Sequence, residues 1–311
     1  MSKTVFGYIA AIFCIIFFSI ARVYPQQPPG YHSLLINISA RAAGMAGSFV
    51  AIAGDESGIF SNPAGLEDLT EDRWKLSYVN HILDIYGSQI AVVKSVVKGV
   101  KTGLCLRYIN YGEFKKIDAD GLYTGQSFSA YDQIAVFSVS KKLKENLNLG
   151  LNFKYILSQI ESYSSSAVAV DLGFIYSTWI DGLIVGGGVF NLGRVNRPFI
   201  ETEDELPLKY EIGFSKTLAH LPLLLSGELG SFRDGEFIFT LGGEFNIIEN
   251  FFVRAGISSN RFNQRTGVVK DLSAGTSFGA GLIFDPFALD YALDSYGSAG
   301  IIHKFSLSGI F

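Results

Sequence analysis

The sequence predicts an all-β transmembrane barrel of about 14 antiparallel strands, with an N-terminal hatch segment seated in its lumen. Three observations carry this reading. Segments of about ten residues alternate apolar and polar side chains, the length that crosses a bilayer at a tilt and about twice the usual soluble strand. The connections between them alternate between short turns and long polar stretches. The chain ends on an aromatic residue, Phe311, in a strand of strict alternation.

Composition agrees. The 311 residues are 48% hydrophobic and 17% charged, and 34 glycines, 15 tyrosines and 26 phenylalanines stand against eight prolines. Aromatic-rich strands with many tight turns fit that balance better than a helical bundle. A net charge of -4 leaves no basic footprint for nucleic acid.

Taken in order, residues 1–25 read as a signal peptide: Lys3 precedes the apolar run Val5 to Ala21, and Ser19-Ile20-Ala21 offers small residues for cleavage. A second cleavage position lies near Gln27, and an uncleaved anchor helix is the alternative. Cys14 lacks the small preceding residue of a lipoprotein cysteine. With the signal removed, Cys105 stands alone, so no internal disulfide forms, and no Cys/His spacing suits a metal.

Residues 26–70 read as a linker and hatch. Gln26 to Gly30 is Pro/Gln-rich, and Ser39 to Leu66, SARAAGMAGSFVAIAGDESGIFSNPAGL, differs from everything after it. Gly44, Gly47, Gly54, Gly58 and Gly65 permit close backbone approach or positive φ, and Asn62-Pro63 breaks any helix or strand before the first barrel strand. Asp55 and Glu56 read as an exposed turn or helix start rather than a cation site. The glycines are not a phosphate loop, because no lysine follows them in a βαβ frame.

Residues 71–311 read as the barrel. Strand-length segments start near Trp74, Ser88, Lys101, Ser129, Asn146, Ala167, Leu183, Leu208, Pro222, Gly235, Asn250, Asp271, Phe287 and Gly300. Alternation is clearest where Phe287, Leu289, Tyr291 and Leu293 oppose Asp290 and Asp294, and where Leu149, Leu151 and Phe153 oppose Gly150, Asn152 and Lys154. Short inner turns fall at Val97 to Gly99, Lys141 to Asn146, Ile180 to Gly182, Ala219-His220, Ile248 to Asn250 and Asp285-Pro286. Gly112 to Gln126, Gly193 to Leu206 and Asn260 to Lys270 read as long outer loops. Trp74 and Trp179 fall at the inner rim, where interfacial aromatics belong.

The inward phase carries Arg107, Lys154, Asp171, Lys209, Glu211, Glu228, Glu244, Arg254, Asp290, Asp294 and Lys304. Both signs are present with no clustering of one, the pattern of a solvated lumen laced by salt bridges. His303 falls on the lipid face with Ser295 diagonally across, an incomplete hydrolase constellation, so no catalytic residue is assigned. His32, His81 and His220 fall in loops and turns. No cofactor is implied.

The stretch from Ser39 to Leu66 resembles the PorV/PorQ family of outer-membrane proteins, which begin with a similar S-A-R-x-x-G-M-x-G segment closed by N-P-A-G-L. Here these are Ser39, Arg41, Gly44, Met45 and Gly47, then Asn62, Pro63 and Gly65; Ala46 replaces the commoner glycine, a change that leaves the backbone logic intact. The later pieces VDLGFIY, VFNLG, LPLKYEIGFS, FALDYAL and HKFSLSGIF follow the family's order. The resemblance implies a fourteen-stranded FadL-like barrel in the bacterial outer membrane, and FadL-type transporters of hydrophobic compounds carry a similar N-P-A element in their hatch. Phe305, Leu307, Gly309 and Phe311 resemble the C-terminal signal read by the barrel-assembly machinery. The implied partners are outer-membrane lipid, that machinery, and secretion-system subunits or exported cargo docked on the outer loops in a type IX-like pathway. The alternative is transport of a hydrophobic small molecule past the hatch, along an apolar path beside Phe49, Ile52, Ile59 and Phe60.

Overall fold

A computed structural model describes residues 30–200, 204–233, 235–260, 271 and 273–311; the signal-peptide reading falls outside them. The N-terminal segment holds short turns only: a 3-10 turn His32–Leu34, a helix Ala40–Gly44, a single helical turn Gly58–Ser61 and a 3-10 turn Pro63–Asp68. Asn62 ends the helical turn in extended backbone, and its side chain accepts from Ala64 N at the start of the next turn. This is the break that Asn-Pro dictates.

Fourteen strands follow. The first half is β1 Arg73–Asn80, β2 Tyr86–Val97, β3 Val100–Ile117, β4 Tyr123–Lys144, β5 Leu147–Ile160, β6 Tyr163–Ser177 and β7 Leu183–Arg197. The second is β8 Lys209–Thr217, β9 Leu223–Phe232, β10 Phe237–Ile248, β11 Phe251–Ser258, β12 Thr276–Phe284, β13 Phe287–Ser295 and β14 Ile301–Ile310. Each pairs antiparallel with its chain neighbours, and β1 closes on β14 with Arg73 opposite Ile310 and Asn80 opposite His303. Closure leaves no strand edge, the condition for placing backbone in lipid.

The period-2 pattern sorts side chains as read. Leu104, Leu106, Phe153, Leu172, Phe239, Leu289 and Phe305 point outward and are exposed, while Asn152, Asp171, Asp290 and Lys304 point inward and are buried. Water would make such an apolar exterior costly; a bilayer makes it the favourable surface. At the inner rim the Trp74 ring packs on Gly309 and meets the Phe287 ring edge-on at 6.2 Å.

Three strand limits differ from expectation. Gly112 to Gln126 is no loop: β3 and β4 continue through it, leaving only 118–122 as the turn. The cause is cross-strand pairing, because Phe114 lies opposite Phe128 with rings stacked at 5.5 Å, and Lys115 covers the Tyr123 ring. β7 runs on to Arg197, into the expected loop after Gly193, where positions 201–203 lie outside the described residues. β12 begins at Thr276 rather than Asp271, because Ala274 N bonds to Asp271 O in a turn. Most of the Asn260 to Lys270 loop is outside the described residues.

Ala46 corrects another expectation. It sits at φ 55, in the left-handed region, beside Gly47 at φ 84, so the residue that replaces glycine carries strain of about 1 kcal/mol. Ala46→Gly should raise the barrel's stability by about that amount, read as a higher urea midpoint in detergent. A lower midpoint would mean that lost packing of the Ala46 methyl outweighs the backbone relief.

Candidate functional site

The segment from Ser33 to Leu69 lies inside the barrel with most of its residues buried. It is two-sided. Ile59, Leu66 and Leu69 join one apolar cluster with Ala91, Val93, Cys105, Ile134, Val136, Ile156 and Ala169 on the wall of β2 to β6. Met45, Phe49 and Ile52 pack together with Ala42. The other side is charged and meets β1, β10, β11 and β13.

There Arg41 reaches Glu244 with two bonds, Nε to Oε2 at 2.9 Å and Nη2 to Oε1 at 2.7 Å, and gives Nη1 to Asp55 at 2.9 Å. Glu244 also receives Arg254 Nε at 2.6 Å, and Arg254 Nη1 reaches Asp290 at 2.6 Å. Lys75 Nζ, on a side chain only 1% exposed, lies 3.0 Å from Asp55 and 3.4 Å from Glu56, which Arg73 also meets at 3.3 Å. Four cations, Arg41, Arg73, Lys75 and Arg254, thus face four anions, Asp55, Glu56, Glu244 and Asp290. Asp55 and Glu56 are therefore not an exposed turn but the buried half of a neutral network. Burial opposes the charge on Asp55, but Lys75 and then Arg41 outweigh it and hold the carboxyl well below its ordinary range.

Inside the wall, irregular backbone needs partners. Side chains of the strands supply them. Glu228 Oε2 accepts from Phe49 N and Val50 N at 3.0 Å each. Ser215 donates to Ala51 O, Ser226 to Ser48 O and Asn152 to Ile59 O, and Ser306 Oγ accepts from Ala40 N. Asn62 Nδ2 bridges Val50 O and Phe174 O at 2.7 and 2.9 Å, tying the segment to β6.

The approach is close because the wall is bare where the segment touches it. A Cβ on Gly242 would lie 2.7 Å from Met45 O, and one on Gly150, Gly173, Gly186 or Gly256 would strike the backbone or the Asn62 side chain of the segment. The sequence reading assigned small residues to the hatch and missed this matching set on β5, β6, β7, β10 and β11. Glycine in the inward phase of a strand is the signal that finds it.

Each predicted hatch residue falls in this region. Ser39 Oγ meets Ser57 Oγ at 2.7 Å, a Cβ on Gly44 would lie 3.1 Å from the Gly279 backbone, and a Cβ on Gly65 would lie 2.8 Å from Ile52 O. Met45 is fully buried and Pro63 opens a 3-10 turn. The C-terminal residues lie elsewhere, on the exterior of β14. Phe305 packs on Tyr291 at 5.0 Å, Leu307 faces outward, and Lys94 covers the ring of Phe311 at 4.8 Å. His303 is served by Tyr291 Oη at 2.7 Å, while Ser295 bonds to Ser273, so the pair considered from sequence does not meet.

Between the segment and the outer strand ends lies a cavity of 620 Å³. Its lining is mixed: Leu35, Val50, Phe60 and Phe190 with Arg107, Lys154, Lys209 and Glu228. The path expected beside Phe49, Ile52, Ile59 and Phe60 is not continuous, because only Phe60 reaches the cavity and the other three are packed away. The Arg107 guanidinium lies 3.4 Å over the Phe60 ring and donates to Gln89 Oε1 and to the carbonyls of Ser33 and Ile36. Among the described residues no carboxylate pairs with it. Lys154 instead pairs with Asp171 at 2.7 Å.

Solved structures share this fold. Over 88% of this chain and 99% of its own, a variant of the TodX monoaromatic hydrocarbon channel superposes with a TM-score of 0.66 at 11% identity. The fold is FadL-like. The Pseudomonas putida toluene transporter TodX gives 0.64 at 12% identity over 87% of this chain and 97% of that one, and a Pseudomonas aeruginosa FadL homologue gives 0.58 at 11% over 87% and 97%. No protein-family model and no curated protein matches the FadL-like chain by sequence.

Glu244 joins two arginines, so Glu244→Gln should weaken docking of the segment by about 3 kcal/mol, measured as faster hydrogen exchange across 39–66 with the strands still protected. Unchanged exchange would show that the network holds nothing. Asp55 has a folded pKa below its unfolded value, so its contribution is complete above about pH 5 and is lost progressively as the pH falls from there toward the lowered pKa. Protection of the turn from Asp55 to Ser57 should therefore be the same at pH 5 as at pH 7.

Proposed function

We propose that this barrel sits in the bacterial outer membrane and admits a small hydrophobic compound from outside, with the segment from Ser39 to Leu66 acting as a hatch. The observation that carries the reading is the 620 Å³ cavity whose floor is that segment. The cavity is large enough for a small aromatic or a folded alkyl chain. One side of the floor is held by ion pairs and side-chain hydrogen bonds, which can be exchanged for water more readily than the apolar packing on its other side. The fold of TodX, a toluene transporter, supports the same reading.

The test uses purified full-length protein in proteoliposomes with labelled toluene as probe. Cysteines at Ala43 and Ala292, which pack together between segment and wall, should abolish uptake when oxidised and restore it on reduction. Equal uptake in both states rules out a moving hatch, and no uptake by the unmodified protein above empty vesicles rules out the channel.

A second reading is carried by the long hairpin of β3 and β4. Ile117, Leu122 and Tyr123 near its tip are 64%, 66% and 55% exposed, on strands longer than a bilayer requires. On this reading the PorV/PorQ resemblance extends to function and the hairpin docks secretion subunits or exported cargo. Native pull-down from the outer membrane should then recover them with the intact chain and lose them when 118–122 is replaced by Asn-Gly. Identical recoveries exclude the hairpin as the docking site.

A further inference from the structure

The exterior of the barrel carries a groove that neither the lumen nor the hairpin accounts for. It has a volume of 900 Å³ and lies across β3 to β7, walled by Leu106, Phe137, Phe153, Tyr155, Val170 and Leu192. Its floor is set by Ala135, an outward-facing small residue paired with Leu106 on one side and Tyr155 on the other. A run of bulky lipid-facing residues is thus interrupted by one methyl group, leaving a depression of acyl-chain character.

The loop end of this groove is charged. Arg194 lines it, and Arg197 follows at the end of β7; both are exposed, and neither forms an ion pair among the described residues. Arginine on a lipid-facing wall is costly at the midplane and tolerated near the interface, so two on one strand end need a reason. The backbone puts them there. β6 and β7 pair Leu172 with Val189 and Val170 with Leu192, then Ala167 with Val195 and Ser166 with Arg197, so the register slips twice within nine residues of β7. The first slip keeps Val189 and Leu192 both outward. The second turns Arg197 outward beside Arg194, where strict alternation would have sent it into the lumen. Asn191, at φ 60 in the first bulge, is fixed by its N–H to Asp171 at 2.8 Å and by Lys154 Nζ to its Oδ1 at 2.8 Å.

We propose that this groove binds a phosphorylated acylated glycolipid of the outer leaflet, lipid A, with an acyl chain against Ala135 and a phosphate on Arg194 and Arg197. Two arginines at successive outward positions of one strand end suit a phosphate, which guanidinium groups bind bidentately, and an acyl chain reaches the site from the bilayer itself. The proposal rests on the outer-membrane placement above and not on the hatch.

Native mass spectrometry of the full chain in detergent, with bisphosphorylated lipid A as probe, tests it. One bound lipid A per chain is expected, falling at least tenfold in R194Q/R197Q and also in A135F, which fills the floor. Dephosphorylated lipid A should bind the native chain no better than the double variant. Equal lipid A occupancy in native and R194Q/R197Q chains, both shown folded by heat-modifiable migration, would overturn it, as would equal competition by phosphatidylethanolamine. Toluene uptake by R194Q/R197Q should match the native chain, so loss of lipid binding and loss of transport are separate outcomes.

Discussion

A peptide segment without regular structure can lie inside a barrel only if its backbone polar groups are bonded there, and the architecture of this protein follows from that constraint. Ser48, Phe49, Val50, Ala51 and Ile59 have backbone groups answered by Ser226, Glu228, Ser215, Asn62 and Asn152. Those donors and acceptors reach only because wall glycines let the segment touch the sheet. Remove the close approach and each bond lengthens beyond use; remove the bonds and the close approach buries bare amides.

The charge network answers a different need. Replacing Arg41, Glu244, Arg254 and Asp290 by well-packed apolar residues would cost the barrel little and could stabilise it, since buried ion pairs rarely exceed hydrophobic packing. What the charges provide is position and reversibility. Arg41 engages Glu244 bidentately and Asp55 at the same time, which admits one docked arrangement. An apolar seam would tolerate sliding, and it would leave no favourable way for water to replace the contacts on release. Under the uptake reading the segment must be both well placed and removable, and a neutral polar seam opposite an apolar one combines the two.

The barrel was legible because lipid outside and protein inside impose a period of two on every strand. The inward charges from Arg107 to Lys304 face the lumen as that rule placed them, Lys209 as part of the cavity lining and the rest buried. What was not legible came from interactions that composition hides. The stretch from Gly112 to Gln126 has the polar, glycine-containing look of a loop, and cross-strand pairs such as Phe114 with Phe128 and Ile117 with Tyr123 make it strand. Asp55 and Glu56 look like a solvated turn until Lys75, Arg73 and Arg41 are seen around them. Their partners are distant in sequence, and nothing local announces them. The wall glycines were visible as inward-phase residues, but an inward glycine has meaning only once something is known to lie against it.

The β6–β7 seam shows how one irregularity can serve two surfaces. Phe190 and Asn191 are consecutive in β7 and both buried, which simple alternation forbids. The bulge that permits this brings Asn191 to the Lys154–Asp171 pair, and those three side chains in turn hold the bulge, so the inner polar cluster fixes the phase of the outer face. Leu192 and Arg194 therefore point into lipid because of what Asn191 bonds to inside. A polar group buried in the wall of a barrel is usually read as part of the lumen, yet here its structural consequence appears on the other side of the sheet. That coupling gives the Lys154–Asp171 pair a role in shaping the exterior groove that neither its sequence position nor its place beside the lumenal cavity would suggest.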